Sequence, residues 1–510
     1  MLFIAASQML EQLTGFLSIT PHFLTPGYRG NRKGRLAGYR GGYVVLFLSA
    51  VTAIASHAQT FTTLYNFASV DGHHPQAALI QGFDGNLYGT TFDGGSHNFG
   101  TVYKVSPKGL VLTLYNFCSQ TGCTDGEYPT ASLIQGLDGN FYGTTTKGGL
   151  YNGGVVFQLT PKGSLNVLYN FCALANCTDG QTPAQGLIQA SDGKFYGTTV
   201  AGGTYFSGTV YKISSTGSFN TLYSFCPQAG CPDGRTPKAG LIQATDGNLY
   251  GSTSLNGGNG YGTIFKITTA GLYNVLYNFC SLAGCADGKN PTGLVQGADG
   301  NLYGLAGGGT HNSGTLFKIS LAGALATLYD FCSLGGCPDG SGPIGSVIQA
   351  VDGNFYGATN SGGTSFVGTI FKITPAGAQT TLYNFCSQPS CTDGLVPYAG
   401  LLEDTNGIFY GATNNGGTNL DGTLYSLATG LKAFVAARPS TGKVGANVLI
   451  LGTNLTGATA VSFNGVAATF TVVSGSEIKT AVPAGATSGK IKVTTPHGTF
   501  SSNAVFRVKP

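Results

Sequence analysis

Carboxylates, cysteines, a few histidines and a set of loop aromatics carry whatever chemistry this chain can do. Most of them recur at a fixed spacing. The 510 residues include 21 Asp plus Glu. Seven of these open an Asp-Gly-x-x-Pro string: Asp71, Asp125, Asp179, Asp233, Asp287, Asp339 and Asp393. Six more stand in Asp-Gly hairpin turns: Asp84, Asp138, Asp192, Asp246, Asp299 and Asp352. Aspartate before glycine suits an Asx-type turn, in which the side chain bonds its own backbone. The seven Asp-Gly-x-x-Pro aspartates, gathered into a ring, would instead offer oxygen ligands to a cation such as Ca2+. No other cofactor is expected. Acid–base catalysis on a glycan needs a positioned pair of carboxylates, or an acid and a base. The non-repeating candidates in this region are few: Asp93, Glu127, Asp330, Glu403, Asp404 and Asp421. Of these only Asp93 lies near a histidine in sequence, His97. No catalytic residue is assigned.

The Gly-Gly loops carry Phe99, Tyr151, Tyr205, Phe206, Tyr261 and Phe366, with His97 and His311 at equivalent loop positions. These eight residues are the expected ligand-binding set. Their rings could stack on sugars, or they could pack over a neighbouring sheet. Tryptophan, the commonest sugar-stacking residue, is absent. A further pair, His73-His74, sits in a short connection, where histidines are usually just solvated. Gly485-Ala-Thr-Ser-Gly489-Lys490 looks like a phosphate loop, but its spacing is wrong and Ile491 follows where Ser or Thr is needed. No Gly-x-Ser-x-Gly or His-Glu-x-x-His occurs.

All 12 cysteines fall into six Cys-x4-Cys pairs: Cys118/Cys123, Cys172/Cys177, Cys226/Cys231, Cys280/Cys285, Cys332/Cys337 and Cys386/Cys391. The corresponding connection at Ala68–Gly72 is four residues shorter and lacks both cysteines together. Joint loss argues that each pair bonds internally, which places the chain in an oxidising compartment. Metal ligation is the weaker alternative, because the spacing is not Cys-x-x-Cys and no histidine accompanies it.

The elements that position these residues follow from an internal repeat of about 54 residues. Leu-Tyr-x-Phe-like strings begin at Leu64, Leu114, Leu168, Leu222, Leu276, Leu328 and Leu382. Tyr-Gly strings follow at Tyr88, Tyr142, Tyr196, Tyr250, Tyr303, Tyr356 and Tyr410. The second copy predicts strands at 132–136, 141–145, 155–159 and 166–171, with Asp138-Gly139 suited to a type I′ hairpin and Pro161-Lys162-Gly163 to a second turn. No helical period appears. Four strands repeated seven times predict an all-β, seven-bladed β-propeller over residues 59–430. A lone strand at 61–67 would complete the last blade and close the ring, which removes open edges. The long loops, Gly-Gly and Cys-x4-Cys alike, would gather on one face.

Residues 1–58 read as a signal or targeting segment. Arg29, Arg32, Lys33, Arg35 and Arg40 precede an apolar run at 43–55, and Ser56-His57-Ala58 offers small residues for cleavage. Residues 1–28 read either as a mis-called start or as a long leading region. From 431 to 510 the repeat gives way to short alternating strands, expected to form a small β-sandwich. Pro439, Gly442, Gly445, Gly452-Thr453-Asn454-Leu455, Val461, Phe463-Asn464-Gly465, Val482-Pro483, Gly489 and Phe506 make this segment resemble the IPT/TIG immunoglobulin-like domains. That resemblance implies a spacer or adhesion module. The repeats themselves, with their LYNF, LIQGxDGNxYGTT, Gly-Gly and GTVYK strings, resemble the GloVer-type tandem repeats of exported bacterial proteins with varied C-terminal anchors. Arg507–Pro510 carries no hydrophobic tail of the sorting type.

A net charge of +4 with dispersed basic residues gives no patch for nucleic acid, which is not an expected partner. The expectation is a secreted or cell-surface (or periplasmic) monomer with no transmembrane span in the mature chain. It would bind carbohydrate or protein through the loop face. The alternatives are an extracellular hydrolase or lyase acting on polysaccharide through the same face, and a purely structural envelope scaffold. Near-identical repeats favour binding or scaffolding, since catalysis breaks symmetry at one place.

Overall fold

The computed structural model describes residues 59–509, so the targeting segment expected at 1–58 lies outside the described residues. No helix among the described residues is long and apolar enough to cross a membrane. The fold is all-β, and the repeats form four-stranded antiparallel sheets. In the second repeat the strands are Ile134–Gln135, Phe141–Thr145, Val155–Leu159 and Leu165–Asn170, paired in that order. The middle two coincide with expectation. Both are buried almost throughout, which is why they read as continuous apolar and small residues. The first strand is two residues long instead of five, because the chain already turns at Gly136.

That turn differs from the expected type I′. Gly139 has φ 84°, Asp138 does not take a positive φ, and the Gly139 N–H donates to Gly136 O at 2.9 Å. The Gly136 N–H then donates to Asn140 O at 2.8 Å. This is a type I turn followed by a left-handed glycine, the geometry of a G1 bulge. The Asp138 carboxylate drives it by accepting the Asn140 N–H (3.2 Å) and the Tyr142 hydroxyl (2.6 Å). The helix-free expectation also needs amendment. Short 3-10 turns lie at Thr121–Cys123, Ala175–Cys177, Ala283–Cys285 and Pro389–Cys391, each ending at the second cysteine of a pair.

Neighbouring repeats share their cores. Tyr142 and Phe171 of the second repeat pack with Phe195 and Tyr211 of the third, and Tyr88 of the first with Phe141 and Phe157 of the second. The same sharing joins the seventh repeat to the first, where Tyr410 and Leu424 pack with Leu87 and Tyr103. Hydrogen bonds follow the same course. Gln135 accepts the Phe83 N–H of the preceding repeat at 2.8 Å. Gln189, Gln243, Gln296 and Gln349 do likewise for Leu137, Ser191, Thr245 and Ala298 at 2.7–3.2 Å. Glu403 takes the glutamine's place and accepts from Val351, and Gln81 accepts from Thr405, 324 residues away, at 3.3 Å.

The first strand, Thr60–Asn66, pairs antiparallel with Thr423–Ala428 of the seventh repeat. Its register slips between Thr63 and Tyr65, matching the slip between Val156 and Phe157 in the second repeat. The N-terminal strand thus occupies in the seventh sheet the place that Leu165–Asn170 holds in the second.

Residues 436–508 form two further four-stranded antiparallel sheets and a short parallel pair, Thr441–Gly442 with Arg507–Val508. Val448, Ile450 and Ile478 from one pack with Val461, Phe463, Ile491 and Val493 from the other. This sandwich meets hairpin turns of the repeats. The Phe434 N–H donates to Thr405 O (2.9 Å) and the Ser476 hydroxyl to Phe83 O (2.8 Å). The Gly-Gly loops lie at the opposite end of the strands.

Candidate functional site

Each Gly-Gly loop is clamped onto the connection that enters its own repeat. The Gly149 N–H donates to Cys123 O (2.9 Å), and the Leu150 N–H to the Asn170 side chain (2.9 Å). Gly148 has φ 72°, and a Cβ there would lie 2.7 Å from Gly126 Cα and 2.8 Å from Cys123 O. Glycine suits this close approach, and the fourth repeat meets the same left-handed backbone with Asn256. The bond that Gly149 makes recurs at Gly203–Cys177, Gly257–Cys231, Gly309–Cys285, Gly363–Cys337 and Gly417–Cys391. The Gly-Gly loops and the disulfide-bearing connections therefore share one face, as expected.

All six cysteine pairs are disulfides, Cys118–Cys123 through Cys386–Cys391. The seven Asp-Gly-x-x-Pro aspartates are structural in their contacts. Asp125 is buried and accepts the Tyr115 hydroxyl (2.7 Å), the Ser119 N–H and hydroxyl (both 2.9 Å) and the Gln120 N–H (3.3 Å). Tyr169, Tyr223, Tyr277, Tyr329 and Tyr383 donate to Asp179, Asp233, Asp287, Asp339 and Asp393 at 2.7–2.9 Å, and Tyr65 donates to Asp71. Burial, with the aspartate beside each, pushes the Tyr65, Tyr277 and Tyr329 phenols up to about 12. Each carboxylate caps its own connection, and none of the seven belongs to a group of three potential ligands within 4.8 Å among the described residues.

The loop aromatics divide. Phe99 is half-buried, and its ring lies 5.5 Å from that of Tyr128 in the next connection, so it packs rather than waits for a ligand. Tyr151, Tyr205, Phe206, Tyr261 and Phe366 are exposed. One loop position has positive φ in every repeat: Asn98, Asn152, Phe206, Gly260, Asn312, Phe366 and Leu420. Asparagine and glycine accept the left-handed region readily, whereas bulky side chains do so at a cost on the order of 1 kcal/mol. Yet Phe206, Phe366 and Leu420 occupy it with 68%, 67% and 66% of their surface exposed. Sequence reasoning missed Leu420 and the exposed Leu150, since it searched the loops for rings alone.

The two loop histidines are placed differently. His97 Nδ1 lies 3.1 Å from the Ser96 hydroxyl. His311 Nδ1 lies 3.1 Å from Asp330, which stands where five other repeats cap this loop with asparagine and the third with Ser224. Asp93 does not meet His97. It faces His73 and His74 instead, at 2.5 and 2.9 Å.

The family profile of the Gloeobacter/Verrucomicrobia repeat matches residues 47–254 and again 237–473. The chain belongs to that repeat family. In this Gloeobacter/Verrucomicrobia repeat protein the second match runs past the last repeat strand into the C-terminal sandwich. No curated protein matches it in sequence. Among solved structures it is similar to a putative 6-phosphogluconolactonase from Bacteroides uniformis at 15% identity, covering 65% of this chain and 89% of that one, TM-score 0.41. It is also similar to a Bacteroides thetaiotaomicron protein of unknown function (15% identity, 73% and 76% covered, TM-score 0.40). A periplasmic gluconolactonase from Pseudomonas aeruginosa gives 18% identity, 61% and 84% covered, and TM-score 0.39. None of these likenesses carries an activity to the chain.

Proposed function

We propose that this chain is an exported, non-catalytic binding protein that recognises carbohydrate through its Gly-Gly loop face. In this reading residues 1–58 direct export and residues 59–430 form a seven-bladed propeller closed by its N-terminal strand. Residues 431–510 form an immunoglobulin-like domain of the IPT/TIG kind, seated on the hairpin end so that the loop face stays open. Six disulfides support an oxidising compartment.

One observation carries the reading. Phe206, Phe366 and Leu420 hold large apolar side chains outward at backbone positions where Asn98, Asn152 and Asn312 would be easier. Stability gives no reason for either the exposure or the conformation, and strained outliers commonly mark ligand contacts. Tyr151, Tyr205 and Tyr261 extend the exposed set on equivalent loops.

The test is binding of the full chain to a panel of glycans and cell-wall polysaccharides, beside the variant F206N/F366N. Asparagine is native to this position in three other repeats, so the variant is expected to melt at the same or a higher temperature. The proposal expects saturable binding that weakens at least tenfold in the variant. Absence of binding to every glycan, or equal binding by the variant, overturns it; capture of a protein alone would transfer the face to a protein partner.

A further inference from the structure

The first repeat breaks the symmetry of the other six at one place. His73 and His74 fill the two variable positions of Asp71-Gly-x-x-Pro75, and Asp93 stands opposite His73 across an isolated antiparallel bridge. The backbone there is ordinary for the fold. The His73 N–H donates to Asp93 O (2.9 Å) and the Phe92 N–H to His74 O (3.1 Å), as Glu127 and Thr146 donate to Lys147 and Tyr128 one repeat later. The side chains are what differ. The corresponding trios are Glu127-Tyr128-Lys147, Gln181-Thr182-Ala201 and Arg235-Thr236-Leu255. Only the first repeat puts three metal-ligating groups on this frame.

Their atoms converge. His73 Nδ1 lies 2.5 Å from Asp93 Oδ1, His74 Nδ1 lies 2.9 Å from the same oxygen, and the two Nδ1 atoms are 2.9 Å apart. With the carboxylate ionised, no placement of protons satisfies all three contacts. If both imidazoles donate to the carboxylate, their N–H groups oppose each other. If one donates to the other, a bare nitrogen lone pair faces the carboxylate oxygen. A cation satisfies all three at once. Three atoms this close leave a common point about 2 Å from each, the length of a Zn–N or Zn–O bond.

We propose that His73, His74 and Asp93 bind a divalent transition-metal ion, with Zn2+ the best match to two imidazoles and a carboxylate. The side chains are 18%, 32% and 21% exposed, so the ion keeps positions open to water. Three protein ligands with an open position is the arrangement of reactive rather than purely structural zinc. The site lies at the seam where the first repeat meets the seventh. The His74 N–H donates to Asp421 O (3.1 Å), and the Ser69 hydroxyl to the Asp421 carboxylate (3.2 Å). It also sits in the one repeat connection without a disulfide. The ion ties that connection to the loop at Asp93.

Isothermal titration of the EDTA-treated, dialysed full chain with ZnCl2 at pH 7.5 tests this. We expect one ion per chain at micromolar or tighter affinity. H73Q/H74T and D93A install side chains that the third repeat already carries on this frame, so both should fold and melt like the metal-free parent. Each should lose at least tenfold in affinity, whereas H97A should bind unchanged. Absence of stoichiometric binding by the parent, or parental affinity in the folded H73Q/H74T variant, overturns the proposal.

Discussion

Both carboxylate oxygens of Glu403 accept the backbone N–H of Val351 at 3.1 Å, in the place where the sixth repeat's Gln349 accepts from Ala298 at 2.7 Å. A glutamine makes this bond without charge. Burial, aided by the negative charge of Asp352, raises the Glu403 carboxyl to about 7. The folded state therefore binds its proton more tightly than the unfolded chain does. Stability from this group is fully present below its ordinary value near 4.5 and is lost as pH rises through about 7. E403Q should flatten that window and stabilise the protein above pH 7 by roughly 1–3 kcal/mol. Urea midpoints of parent and variant between pH 4.5 and 8 would show it, and parallel curves would refute it. Asp404, raised to about 7 by its own burial, should leave a residual slope in the same direction.

Tyr211 is buried and its hydroxyl has no hydrogen-bond partner. The second, fourth, fifth and sixth repeats carry Phe157, Phe265, Phe317 and Phe371 at this position. Desolvating an unpaired hydroxyl is unfavourable, so Y211F is expected to stabilise by about 0.5–1 kcal/mol. Chemical denaturation would register a higher midpoint, and a loss above 1 kcal/mol would mean the hydroxyl has a partner.

Asp125 holds its connection together through four hydrogen bonds. D125A leaves the Tyr115 hydroxyl and two backbone N–H groups without their acceptor, and should cost about 2–4 kcal/mol. D125N, which keeps one acceptor oxygen, should cost less. Equal melting temperatures for parent and D125A would contradict the capping role.

Phe61 stacks on Tyr383 with ring centroids 3.7 Å apart and lies 5.3 Å from Tyr425. It anchors the closing strand to the sixth and seventh repeats. F61A should cost on the order of 3 kcal/mol. It should also make the chain before Phe67 the earliest site of limited proteolysis. Cleavage elsewhere first would mean the closing strand is not the weak point.

Much of the fold was legible because each rule recurred in every repeat. Phe141–Thr145 and Val155–Leu159 are apolar runs bounded by turn residues, and seven versions of the same pattern average out the ambiguity of one. The disulfides were legible because the first connection loses both cysteines with its extra residues. The turn at Asp138-Gly139 was misread because Asp-Gly suits two turn types, and only the bond from Gly139 to Gly136 separates them. The turn role of the aspartates was legible from Asp-Gly, but the tyrosine that bonds each carboxylate was not, because Tyr115 lies ten residues upstream of Asp125 and Tyr65 six upstream of Asp71. His73, His74 and Asp93 escaped notice together because a cross-strand bridge, not sequence proximity, unites them. The outward Phe206 and Phe366 were visible as aromatics, but their left-handed backbone was visible only by comparison with Asn152.

The pairing of Thr60–Asn66 with Thr423–Ala428 has a consequence for biogenesis. A polypeptide is made from its N-terminus, so Thr60–Asn66 is synthesised before the repeats and its partner Thr423–Ala428 only after most of them. Throughout elongation the early strand is an unsatisfied edge, free to pair with another nascent chain. Each six-residue disulfide ring can close within its own connection once the chain reaches an oxidising compartment, but the pairing waits for residue 428. A ribosome stalled within the seventh repeat would therefore release a chain whose finished sheets are sound and whose two ends both seek partners.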